Sequence, residues 1–241
     1  MTYQQIPRHI KILVLFTIAN LIILGIRNYI VGDSFFNFLK SNLLSGVMPF
    51  VIAVGISVFN KKLNGFFFIA FSLLWVLFYP NAPYMISDLI HPHEESKDAL
   101  LSELIIFDTL IIFSIAMLSI FYGFISIKIM FNLFKERYGN KTAHAAIFFS
   151  LALSCLGFYM GRELVSEIKM GNGYLYSSEM FMEPVYIIKT VWNAIWPIQD
   201  HLPAYYMMAL FGFIQYQMLI MMKDVSDIEE SALVTNDEQI N

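Results

Sequence analysis

At 241 residues the chain could hold one or two soluble cores, yet 58% of it is hydrophobic and only 14% is charged, against about 25% charged in ordinary soluble domains. Fifteen basic and nineteen acidic residues stand against twenty-three phenylalanines, and the mean hydropathy is +0.62. This composition excludes most soluble folds and points to an all-α, polytopic membrane helix bundle. The net charge of −4 without a dense basic face excludes nucleic acid as a partner, because phosphate binding needs clustered Lys and Arg.

The N-terminal stretch MTYQQIPRHIKILVLFTIANLIILGI has the basic and apolar parts of a signal peptide. Arg27 and Asn28 follow where small cleavage-site residues are needed, so it reads as an uncleaved first membrane helix. A helix needs roughly 20 apolar residues to cross about 30 Å of hydrocarbon. Six runs approach this: about 10 to 26, 40 to 59, 65 to 80, 101 to 127, 143 to 161 and 203 to 222. The third is short before Pro80 and Pro83, which places the PNAPY segment inside the outer membrane boundary. Asn20 in the first span is expected to bond between helices.

The single cysteine, Cys155, lies inside an apolar run and reads as a small core residue. Within VYIIKTVWNAIWPI, Tyr186, Lys189, Thr190 and Asn193 form a polar stripe over too few residues to span, which predicts an interfacial helix. No stretch suffices for a soluble domain, so one membrane-embedded domain is expected over 1–222. Residues 223–241, acidic and poor in apolar groups, read as a disordered cytoplasmic tail.

Nine basic residues, Arg8, Lys11, Lys61, Lys62, Lys128, Lys135, Arg137, Lys141 and Lys223, fall on the N-terminal side of the six-span topology. The opposite side holds six: Arg27, Lys40, Lys97, Arg162, Lys169 and Lys189. The majority places both termini in the cytoplasm. Tryptophans and most tyrosines, Tyr79 and Tyr84 among them, collect at the outer boundary, as an aromatic belt does.

The polar residues gather in FYPNAPYMISDLIHPHEE, residues 78–95. A short helix starting near Pro83 places Tyr84, Asp88 and His91 on one face, with Met85, Ile86, Leu89 and Ile90 on the other and Asn81 as its cap. Asp88 and His91 have the carboxylate-x-x-His spacing of bundle metal sites, with His93 and Glu94 as further donors. The same spacing serves an acid/base or ligand-binding pair, or a structural pair in which Asp88 orients His91. Asp108 lies inside the fourth span, where an ionised group costs roughly 2.5–3.5 kcal/mol and needs a partner. Arg162, at the outer end of the fifth span after Gly157 and Gly161, is a candidate partner for Asp88 or Asp108, and Asn42 a candidate neighbour.

Taken together, PNAPYMISDLIH after a Trp-containing apolar helix, FD inside the next, and GFYMGR at the end of the fifth resemble a bacterial membrane-protein family known as domain-of-unknown-function family 1361. The run from Asn42 to Pro49 is similar to that family's second-helix pattern, and the likeness covers roughly 35–215. The resemblance implies that Asn81, Pro83, Tyr84, Asp88, His91, Asp108, Gly161 and Arg162 occupy motif positions; it supplies no reaction. RELVSEIKMGNGYLYSSEMF departs from the segment that follows Gly-Arg in other members.

The reading is a multi-pass cell-membrane protein of unknown activity in contact with the lipid bilayer. An outward-facing polar pocket made by Tyr84, Asp88, His91, Asp108 and Arg162 would meet lipid headgroups, lipid-linked substrates or small solutes. In an enzyme, His91 is the acid/base or metal ligand, Asp88 its orienter or co-ligand, Asp108 a tuning acid, and Arg162, with Tyr84 and Asn81, a ligand-binding group. No cofactor can be named. The rival readings are a structural or regulatory subunit of a membrane complex and a small-solute or ion transporter, the last lacking a polar path to the cytoplasm.

Overall fold

In a computed structural model, the structure describes residues 8–31, 38–90 and 105–159, and, further on, 192, 196, 202, 205, 206, 208–217, 220 and 221. These residues are helix and short turns, with no strand among them. The chain divides into two compact units, residues 1–163 and 164–241.

The first unit contains α1 (Arg8–Val31), α2 (Phe38–Phe59), α3 (Gly65–Phe78), the single turn α4 (Asn81–Tyr84), a 3-10 segment (Met85–Ile90), α5 (Ile105–Tyr138) and α6 (Asn140–Tyr159). Among the described residues, four stretches are long and apolar enough to cross a membrane: Ile10–Ile30, Phe38–Phe59, Gly65–Leu89 and Ile105–Tyr138. The third corrects the short span expected from the sequence. Pro80 and Pro83 do not end the helical path; they tighten it into α4 and the 3-10 segment, and the chain continues to Ile90.

Helix α5 is the axis of this unit. It pairs antiparallel with α1, through Arg27 to Asp108 and Thr17 to Tyr122, and with α3, through Trp75 to Ser126 and Phe68 against Phe134. It runs parallel to α2, whose Gly46 meets Ser119 and whose Asn60 meets Arg137. Its 34 residues extend about 51 Å at 1.5 Å per residue, well past the expected end at residue 127. Asp108 in the first turn and Lys135 and Arg137 in the last complement the helix dipole at both ends. Gly139, at φ 86°, then turns the chain directly into α6; a side chain is strained in that left-handed conformation.

The core joins Leu24 of α1, Leu39 and Leu43 of α2, Met85 of the 3-10 segment, and Ile111, Ile112, Ile115 and Leu118 of α5. Two close approaches set the helix spacing. A Cβ on Gly46 would lie 2.0 Å from Ser119 Oγ, and one on Gly123 would lie 2.8 Å from Ala82 Cβ. Much of the remaining apolar surface faces outward, including Leu15, Ile22, Ile30, Phe66 and Leu73, as a lipid-facing bundle requires. Trp75 and Tyr79 depart from the expected aromatic belt: both are fully enclosed, their rings 5.5 Å apart, with Trp75 Nε1 donating to Ser126 Oγ at 3.1 Å. The indole finds its partner inside the bundle and has no need of the interface. Cys155 is buried, as a small core residue is.

In the second unit, residues 208–217 are helical, inside the sixth predicted span. The exposed rings of Trp192 and Trp196 stack at 6.2 Å, and Trp196 N–H donates to the Trp192 carbonyl at 2.8 Å. Both tryptophans fall within the predicted interfacial helix; Tyr186, Lys189, Thr190 and Asn193 lie outside the described residues.

Candidate functional site

The site begins with the backbone consequences of two prolines. Pro83 has no N–H to give to the carbonyl four residues back, and the Tyr79 carbonyl instead accepts from Ala82 N–H at 3.1 Å. That shift strips the Phe78 carbonyl of its usual donor, and Asn81 Nδ2 supplies one at 3.0 Å. Asn81 was expected to cap the start of the short helix. It closes the end of α3 instead, while the residue preceding α4, Pro80, has no side-chain capping bond.

Beyond Tyr84 the winding is 3-10, with three residues per turn, so residues three apart lie in one row. Met85 and Asp88 share the buried row, at 1% and 2% exposure. The expected placing of Tyr84 with Asp88 on one face and Met85 on the other assumed 3.6 residues per turn. At three per turn Tyr84 is rotated about 120° from Asp88, and it is only half-buried.

Asp88 Oδ2 accepts from Asn42 Nδ2 at 2.8 Å, tying the 3-10 segment to the first turns of α2. Ser87 Oγ, next in sequence, is buried without a hydrogen-bond partner, a state that costs about 1–3 kcal/mol and is relieved by a water or ligand.

Asp108 is met by a residue that the sequence reading placed in an outer loop. Arg27 lies inside α1 and is 1% exposed. Its Nε donates to Asp108 Oδ1 and its Nη2 to Oδ2, each at 3.0 Å. This two-pronged geometry matches the planar guanidinium to the carboxylate and satisfies both oxygens at once. The pair caps the same apolar core that Met85 and Leu43 enter. Along α5, Asp108 precedes Ser119, the residue level with Gly46 and Met85, by about three turns. Asn42 precedes Gly46 by about one turn, so the Asn42–Asp88 pair is the deeper of the two.

Of the sequence-predicted site residues, the structure brings Asp88 to Asn42 and Asp108 to Arg27. His91, His93, Glu94, Gly161 and Arg162 lie outside the described residues. Among the described residues no three His, Cys, Asp or Glu side chains converge on a metal position. Asn20, expected to bridge helices, donates to the Phe16 carbonyl of its own helix at 2.9 Å; the neighbouring Thr17 bonds across to α5, with Tyr122 at 2.9 Å. Arg27 was the residue missed. Its signal was available: a second charge in an apolar stretch, near the same membrane end as Asp108.

The family described as "Protein of unknown function (DUF1361)" matches residues 41–218, about three quarters of the chain. The chain belongs to the DUF1361 family. No curated protein and no solved structure matches it. The matched region contains Asn42, the prolines, Asp88 and Asp108, while Arg27 lies upstream of it.

Proposed function

We propose that this DUF1361 protein is a multi-pass cell-membrane protein with one embedded domain over 1–222, which binds a polar ligand at its outer end on the 3-10 segment. One observation carries the reading. A six-residue 3-10 stretch, longer than the three or four residues usual for this winding, holds an enclosed carboxylate and an unsatisfied hydroxyl, Asp88 and Ser87, within the third span. Ionisable groups at membrane depth are costly and are functional sites by default.

Tyr84, Asp88, His91 and Arg162 remain the proposed ligand-facing set, His91 as acid/base or as a metal ligand with Asp88, and Arg162 as an anion clamp for a lipid headgroup, a lipid-linked substrate or a small solute. Asp108 changes role in this proposal. With both oxygens held by Arg27, it braces the site and is no longer assigned to the chemistry. Asn81, engaged with the Phe78 carbonyl, is likewise a brace.

The test uses purified full-length protein and defined probes: inorganic phosphate, glycerol phosphate and Zn²⁺. At least one should raise the melting temperature of the wild type and lose that effect in Asp88→Asn, whose unliganded melting temperature stays near wild type. A variant that melts far lower, with no probe active on the wild type, transfers the proposal to the second reading. That reading, a structural or regulatory subunit, is favoured by the two-pronged Arg27–Asp108 pair, which joins α1 to α5.

The transporter reading is opposed by the packing of α5. Five of its polar residues, Asp108, Ser119, Tyr122, Ser126 and Arg137, share one stripe, but Ile111, Ile112, Ile115 and Leu118 fill the first gap and Met130, Leu133 and Phe134 the last, these apolar residues all buried. Each gap is about 16 Å of helix. Both termini are proposed to be cytoplasmic, supported by exposed Lys61, Lys62, Lys135 and Lys141 at one end of the bundle against Lys40 at the other.

A further inference from the structure

At the bundle end opposite Asp88, the link between α2 and α3 is only residues 60–64. Both flanking stretches are candidate spans, so a link this short cannot leave the level of the lipid headgroups. It is also held in one shape. Arg137 Nε donates to Asn60 Oδ1 at 2.6 Å, and its Nη2 donates to the carbonyls of Asn60 and Leu63. Asn60 Nδ2 donates to Glu136 Oε2 at 3.2 Å, and the guanidinium lies 4.3 Å from the Phe68 ring centre. At its far end Asn64 Oδ1 accepts from Phe67 N–H at 3.0 Å and caps α3.

With Arg137 and Asn60 satisfying one another, the remaining cations point away from the protein. Lys61 and Lys62 on the link, Lys135 on α5 and Lys141 on α6 are all exposed, and Glu136 is the one acid in residues 59–67 and 135–142. Phe59, Phe66 and Phe67 flank the lysines and are more than half exposed. Exposed rings beside flexible cations match a lipid interface: rings enter the acyl boundary while ammonium groups reach up to the phosphates.

We infer that the Phe59–Phe67 link together with the α5–α6 junction is a docking site for the headgroups of anionic phospholipids. The occupant is a lipid and not a free anion, because the aromatic rim has no role in binding a soluble phosphate. The inference concerns the opposite end from the proposed ligand site and does not depend on it.

The test is native mass spectrometry of full-length protein taken from bilayers of equal phosphatidylglycerol and phosphatidylcholine. Wild type should retain the anionic lipid preferentially. Lys61→Gln/Lys62→Gln should lower that preference by about tenfold, each lysine near an anionic surface adding severalfold, while Lys40→Gln at the opposite end leaves it unchanged. Because the wild type alone supplies a further readout, failure of the double variant to fold leaves the test intact: preference should vanish near 1 M salt, where the screening length is about 3 Å. Equal retention of the two lipids by wild type, a preference unchanged in the double variant, or displacement of the lipid by inorganic phosphate would overturn the inference.

Discussion

At the scale of the residue, the decisive fact is how each buried polar group finds its partner. Arg27 and Asp108 stand 81 positions apart and form a two-pronged pair. Removing one member of such a pair leaves an uncompensated buried charge, at about 3–5 kcal/mol, whereas replacing both with apolar groups is close to neutral. Asp108→Leu or Arg27→Met alone should therefore lower thermal stability in detergent sharply, and Arg27→Met/Asp108→Leu should recover most of it. A double variant whose loss equals the sum of the two single losses would show that the pair is not coupled. Gly123 offers a second comparison. Gly123→Ala drives a methyl against Ala82 Cβ at 2.8 Å, an overpacking worth about 1–3 kcal/mol, while Gly25→Ala meets nothing within 4 Å. The first should melt early and the second should not.

At the scale of the element, hydrogen-bond accounting explains what pattern reading misplaced. The composition of PNAPYMISDLI marks it as unusual, but its winding follows from the donors missing at Pro80 and Pro83. Changing the period from 3.6 to 3.0 turns Met85 inward and Tyr84 aside. The link from Asn60 to Asn64 shows the opposite case, in which a long-range side chain shapes a short loop. Three acceptors rest on Arg137, so Arg137→Ala should release the link and expose Lys61 and Lys62 to trypsin. Limited proteolysis of reconstituted protein should show cleavage there at least several-fold faster than in wild type, and an unchanged rate would deny Arg137 this role. Arg137→Lys should be intermediate, since an ammonium cannot reproduce the planar fork.

At the scale of the whole molecule, α5 organises the first unit and separates two polar ends with apolar layers. The proposed topology makes a direct prediction. A cysteine at His93 should react on intact cells with an impermeant reagent and one at Lys135 should not, with little background from buried Cys155. The reverse pattern would invert the topology and move the lysine-rich end to the outer leaflet. It would leave the arrangement of helices around α5 unchanged.

The membrane class, the helical architecture and the approximate place of the first four spans were legible in the sequence, because lipid compatibility depends on local composition and each helix satisfies its own backbone. Asp88 and Asp108 stood out for the same reason: a charge in an apolar run is visible without a fold. Their partners were not. Arg27 looked like a loop cation because a side chain at the end of an apolar run can turn either to headgroups or inward, and only the antiparallel packing of α1 on α5 decides between them. Asn42 reaches Asp88 only because Pro80 and Pro83 rewind the third span, and Asn60 reaches Arg137 only because α5 runs about 15 Å past its expected end. Local chemistry determined which residues belong in a membrane; tertiary packing decided which of them meet.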